Sequence, residues 1–211
     1  MPRIIKPAVG SFTASNITID SSGRVIAATS GAGAANMQLV IAQKGPASGN
    51  YVAGPNATKF QAFLGSGGGG GGGGGDGPNP QGQPGGAGAY GFFTGEVSGG
   101  TTYSYAAGGG GSGGNPGSFG NAGSAGGNSN ITNLAVANAG SGGARGSPNS
   151  ANNQSSASSG SAPGTTLAPP ALASDIFFNI TNMSGGGSRG NKNGSGQAGG
   201  PGVVVIYDDR G

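Results

Sequence analysis

The sequence predicts a mainly β and irregular fold with almost no α-helix. A short N-terminal β module precedes a small β-sandwich-like domain that carries a polyglycine-II helix bundle. Three observations predict this. Glycine supplies 53 of 211 residues, with 33% hydrophobic and 7% charged residues, against about 45–50% and roughly 25% in ordinary globular domains. One small apolar core is the most such a chain can bury. Glycine recurs at every third position over long stretches. Two β-prone apolar runs, 58–64 and 203–207, bracket those stretches.

In chain order, residues 1–10 begin Met1-Pro-Arg-Ile-Ile-Lys-Pro7. They read as an extended anchor arm, with no apolar run of signal-peptide length. No stretch approaches the ~20 apolar residues of a membrane-spanning helix. Residues 11–50 read as a β collar. Asn16-Ile-Thr-Ile-Asp20 and Arg24-Val-Ile-Ala-Ala28 flank the turn signal Ser21-Ser-Gly23, which predicts a hairpin. Residues 37–43 form a further strand, ended by Gly45-Pro46. Residues 51–211 form the glycine-rich domain. Thr58-Lys-Phe-Gln-Ala-Phe-Leu64 leads straight into nine consecutive glycines, 67–75. The continuous apolar run Val203-Val-Val-Ile-Tyr207 suits a buried strand. The two strands are expected to pair, or to share one sandwich, and so pin both ends of the insert.

The glycine phase defines the insert. Gly108, Gly111, Gly114, Gly117, Gly120, Gly123 and Gly126 fall in register. So do Gly187, Gly190, Gly196, Gly199 and Gly202, with Asn193 filling the gap. Shorter runs occur at Gly82–Gly91 and Gly140–Gly146, and the nonaglycine fits any phase. A period of three matches neither helix nor strand. It matches the extended three-residue helix, which makes no internal hydrogen bonds and must find partners for its backbone groups elsewhere. A row of residues without Cβ lets such helices approach closely and bond to one another. Five runs could pack side by side, the 108–126 run reaching roughly 59 Å at ~3.1 Å per residue. Composition alone also fits a flexible linker, but the strict phase and the bracketing strands argue against it. Collagen needs longer uninterrupted triplets with more proline.

The chemistry is sparse. Without Cys, His or Trp, the chain lacks thiol nucleophiles, disulfides and the usual zinc ligands, and an enzyme is not expected. No catalytic residue, cofactor or metal site is predicted. The formal charge of +3 is spread too thinly to mark a nucleic-acid footprint. Gly109–Gly114 spells G-x-G-x-x-G without the strand–turn–helix context that gives the motif meaning. Asp208 and Asp209 read as a solvated tail. Phe92 and Phe93 read as core, as do Ile176, Phe177 and Phe178, while Tyr103 and Tyr105 suit either core or an aromatic platform.

Phe60-Gln-Ala-Phe-Leu64 followed by polyglycine, and the closing Gly-Gly-Pro-Gly-Val-Val-Val-Ile-Tyr207, resemble the glycine-rich domains of bacteriophage tail-fibre proteins. Residues 16–28 look like a small β module that recurs in such fibres. The glycine runs are similar in style to the polyglycine-II sandwich of T-even-type phage tip adhesins and, more distantly, to the glycine-rich extracellular domain of anaplastic lymphoma kinase receptors. The resemblance implies a virion protein, a homotrimer, whose N-terminal arm holds other virion proteins and whose tip binds a host receptor or glycan. It places receptor contacts at Tyr103, Tyr105, Phe119, Ile131 and Leu134. The alternatives are a capsid-decoration or head-fibre protein and a glycine-rich RNA-binding protein.

Overall fold

The computed structural model describes residues 15–19, 25–30, 37–77, 80–146, 157–162 and 184–210. The proposed arm, 1–10, and the expected core residues Ile176, Phe177 and Phe178 lie outside them. The chain divides into a unit of residues 1–36 and a unit of residues 37–210. In the first, β1 (Ser15–Ile19) and β2 (Val25–Ser30) form the expected antiparallel hairpin.

The expected collar boundary at residue 50 moves to 36/37. β3 (Gln38–Lys44) pairs with β10 (Val203–Asp208), and that pairing draws residues 37–50 into the glycine-rich unit. Gly45-Pro46 does not end the strand region there. Through a cis peptide bond it connects β3 to β4 (Ala47–Val52).

Two four-stranded antiparallel sheets follow. One has the order β3-β10-β5-β6, where β5 is Lys59–Gly65 and β6 is Tyr90–Glu96. The other has the order β4-β7-β8-β9, with β7 Thr102–Ala107, β8 Ser129–Ile131 and β9 Ala135–Ala137. The bracketing strands pair directly, Val203 opposite Gly65 and Asp208 opposite Phe60. Phe60, Ala62, Leu64, Phe93, Val204 and Ile206 of the first sheet share one buried cluster with Tyr51, Tyr105, Ala107, Ile131 and Ala137 of the second. This is the expected sandwich, and the fold is mainly β, with no helix among the described residues.

Each glycine run continues a strand or leads into one. β5 runs into the nonaglycine, which becomes the central rod of the lattice. All nine of its N–H groups donate to neighbouring runs and all nine of its carbonyls accept from them. Gly67, Gly70 and Gly73 donate to Gly127, Ser124 and Asn121. Gly68, Gly71 and Gly74 donate to Gly200, Gln197 and Gly194, while Gly69, Gly72 and Gly75 donate to Gly86, Gln83 and Pro80. The descending numbers make these three neighbours antiparallel. The carbonyls accept in ascending order from Gly111, Gly114 and Gly117, from Gly140, Gly143 and Gly146, and from Gly187, Gly190 and Asn193. Those three neighbours are parallel.

The six neighbours also bond to one another in a closed ring. Gln83 donates to Ala144, Gly123 to Gly143, Ser124 to Ser112, Gly199 to Gly111, Gln197 to Ser188, and Gly85 to Gly187. A further segment, 157–162, lies outside the ring against 80–88 and 140–146, through Gly160 to Ala87 and Ser141 to Ser158.

This packing explains the composition. A three-residue helix with six neighbours has no free side. A Cβ added at any of Gly67–Gly74 would lie under 3.0 Å from a backbone carbonyl of another run. A ring helix has one inward position in three, so one glycine in three suffices. Out-of-phase Gly110 and Gly113 answer to a second constraint, since they face sideways against the carbonyls of Gly199 and Gly196 in the next run.

Two expectations need correction. The 108–126 and 187–202 runs are not single rods; each folds back on itself. Gly120 donates to Gly117 in one turn and Gly194 to Asn191 in the other. Gly120 and Asn193 take positive φ, 60° and 53°. Each turn absorbs one triplet, so the phase survives the reversal. An arm of about nine residues spans roughly 28 Å rather than 59 Å. Gly91 also leaves the lattice, since it lies in β6 with its missing Cβ against the Phe93 ring.

Two buried serines join the sandwich to the lattice, where the backbone period changes from two to three. Ser66 Oγ donates to Asn138 C=O at 2.6 Å and accepts from Ala89 N–H at 2.8 Å. Ser129 Oγ donates to Gly65 C=O at 2.7 Å and accepts from Gly108 N–H at 2.9 Å. Each hydroxyl bonds backbone groups from two segments at the junction and so ties the sandwich to the lattice.

Candidate functional site

The strands lie at one end of the 37–210 unit and the lattice turns at the other. The five predicted receptor residues divide between these ends. Tyr105 is 8% exposed and Ile131 1% exposed, so both are core. Tyr103 is half-buried, stacks on Tyr51 with ring centroids 5.7 Å apart, and accepts a bond from Ser98 N–H through its hydroxyl. Leu134 follows Asn133, whose φ is 63°, in the β8–β9 turn. With Phe93, Asn130, Ile131 and Val136 it lines an open cavity of about 550 Å³. Residues 128–139 carry two short strands, β8 and β9, which pair with each other and, through β8, with β7 to complete the second sheet.

Phe119 is at the far end of the lattice, in the 117–120 turn, and is 53% exposed. The Arg145 guanidinium lies 5.7 Å from its ring centroid, within cation–π range. In sequence, Arg145-Gly and Arg189-Gly are only two isolated arginine-glycine units, too few for an RNA-binding tract, and were not among the expected receptor contacts; nor was Lys192, which like Arg189 is exposed on the 184–193 run. The available signal was charge itself: these are isolated cations in segments otherwise almost free of charge.

Of the predicted lattice glycines, Gly108, Gly111, Gly114, Gly120, Gly123, Gly126, Gly187, Gly190, Gly196, Gly199 and Gly202 all occupy positions where a Cβ would meet backbone or a buried serine. Gly117 does not, because it sits in the turn with its nearest such contact 3.8 Å away.

The aspartates expected in a solvated tail are structural. Asp208 is fully buried. Its Oδ2 accepts from Tyr51 Oη and Gly54 N–H, each at 3.0 Å, and from Arg210 at 2.9 Å. Burial opposes ionisation, but Arg210, Gly54 N–H and Tyr51 together hold the carboxyl below its usual range. Burial and the Asp208 bond push the Tyr51 hydroxyl upward. Asp209 accepts from Lys59 N–H and Thr58 N–H at 2.8 Å and from Thr58 Oγ1 at 2.7 Å. The Lys59 and Thr58 bonds bring its carboxyl down to about 2. These contacts lock β10 to residues 51–59 and leave no carboxylate free there for chemistry.

No family model matches the chain, and no curated protein matches it.

Proposed function

We propose that this chain is a phage virion protein of the tail-fibre or tip-adhesin kind, which binds the host cell surface through the turns at the far end of its glycine lattice. The observation that carries this reading is the central nonaglycine, with every backbone group bonded to surrounding runs. Such a rod presents its turns on a stiff support, so little ordering entropy is lost when they meet a surface. Exposed Phe119, with Arg145 over its ring, supplies an apolar and cationic contact at that end. Residues 1–10 attach the chain to other virion proteins, and three copies assemble as a trimer. The protein acts by binding and catalyses no reaction.

Labelled full-length protein is expected to adsorb to a subset of strains in a bacterial panel and to protect those strains from infection. Gold-labelled antibody against it is expected to mark phage tails. Adsorption to no strain would sink the adhesin reading, and labelling confined to capsids would replace it with a decoration role.

A further inference from the structure

Charge in the described lattice segments is confined to Asp76, Arg145, Arg189 and Lys192. Their axial positions follow from the hydrogen bonds of the residues beside them. Gly146 donates to Gly73, Gly190 to Gly72 and Asn193 to Gly75. Arg145, Arg189 and Lys192 therefore all lie around the last turn and a half of the central rod. Gly117 donates to Gly74, which places Phe119 at the same end. The cations occupy the two runs that flank 80–88 in the ring, so one lattice row separates Arg145 from the other two.

All three cations are exposed, and none forms an ion pair with a described residue. The sandwich differs. There Asp208 pairs with Arg210, and Lys59 lies opposite Glu96 across β5 and β6. Asp76 follows Gly75 at the same end and offsets one of the three cations, so the net positive charge of the described 37–210 unit is still gathered at the lattice end.

We propose that this end binds a phosphate-bearing polysaccharide of the host envelope, an inference that rests on the adhesin reading above. Arg145, Arg189 and Lys192 contact phosphates, and Phe119 covers the apolar face of a sugar ring. Guanidinium groups bond phosphate oxygens in a fork, and the ammonium acts as a mobile point charge. Cations spread across a lattice row match charges repeated along a polymer better than a single small anion. A nucleic acid also repeats its charge, but single strands are held on several stacking aromatics. Phe119 is the one aromatic residue in the described lattice segments.

The test measures binding of the full-length protein to immobilised phosphomannan, unphosphorylated mannan and polyuridylate. Phosphomannan is expected to bind, more weakly as salt rises, and mannan is expected not to bind. The R145Q/R189Q/K192Q variant is expected to lose about tenfold in affinity for phosphomannan, given three exposed charge contacts. R145K/R189K/K192R is expected to stay close to wild type, and F119A to weaken binding without changing its salt dependence. Equal binding of mannan and phosphomannan, no binding of phosphomannan, tighter binding of polyuridylate, or an unaffected Gln variant would each overturn the proposal. Cell adsorption separates the two readings. Strains that take up wild type and the Gln variant equally overturn the phosphate proposal and leave the adhesin reading standing. A protein that binds phosphomannan but no cell overturns the adhesin reading.

Discussion

Gly71 and Gly117 both belong to glycine runs and face opposite constraints in space. A Cβ on Gly71 would collide with the Ser188 carbonyl, a backbone atom of another run, whereas one on Gly117 has room. Gly71→Ala is expected to destabilise the protein by at least about 3 kcal/mol, at or above the usual range for overpacking, because no flexible side chain can yield. Gly117→Ala is expected to change stability by less than about 0.5 kcal/mol. Guanidinium unfolding of the two variants checks the contrast. The margin is narrow because a lattice glycine gains about 1 kcal/mol per hydrogen bond while fixing its backbone costs about 1–2 kcal/mol. Gly49 shows that single residues can mislead a sequence reading. It lies in β4 with the Tyr105 hydroxyl 2.8 Å from its missing Cβ, so a glycine with no place in the lattice phase instead makes room for an aromatic ring in the sandwich.

At the scale of elements, phase matters more than composition. Ala198 points outward, and Gly199 faces the carbonyl of Gly68. Exchanging the two residues leaves the composition unchanged and moves one Cβ into the lattice. The exchange is expected to lose at least about 2 kcal/mol, whereas exchanging the exposed pair Asn121 and Ala122 should stay within about 0.5 kcal/mol. Thermal melting distinguishes the two outcomes. The bracketing strands and the lattice positions were legible because apolar runs and a period of three leave marks in sequence. The two reversals were not, since a turn that uses one triplet preserves the phase on both sides. The place of the nonaglycine was also hidden, because a run without phase names no direction in which its neighbours lie. Tyr105 and Ile131 were offered as contacts because both stand in stretches that interrupt the glycine phase, yet those stretches are paired strands whose inward positions they fill. The grouping of Arg145, Arg189 and Lys192 was hidden because each stands alone in the sequence and only the folded runs bring them to one level.

At the scale of the whole molecule, the C-terminal end of β10 closes the 37–210 unit through Asp208 and Asp209. Both carboxyls ionise more readily in the folded protein than their ordinary value of 3.8. Their contribution is therefore complete about one pH unit above that ordinary value and is lost as pH falls through the lowered folded values, which for Asp209 is about 2. Tyr51 works in the other direction. Its folded hydroxyl holds its proton above the ordinary value of 10.0, so its contribution is whole below pH 10 and declines at higher pH. Denaturation midpoints measured across pH should form a plateau that drops on the acid side. Asp209→Asn should flatten part of that drop and lower the plateau.

A uniform glycine rod repeats itself on every residue: advance one step, turn a third of a circle, and it meets the same surroundings. The rod alone therefore cannot tell its neighbours where they stand along it. That information comes from its root, where β5 is fixed in its sheet and Ser66 bonds to Ala89 and Asn138. The sandwich acts as the zero mark of a ruler, and the number of glycines beyond it sets how far the lattice turns stand from the mark.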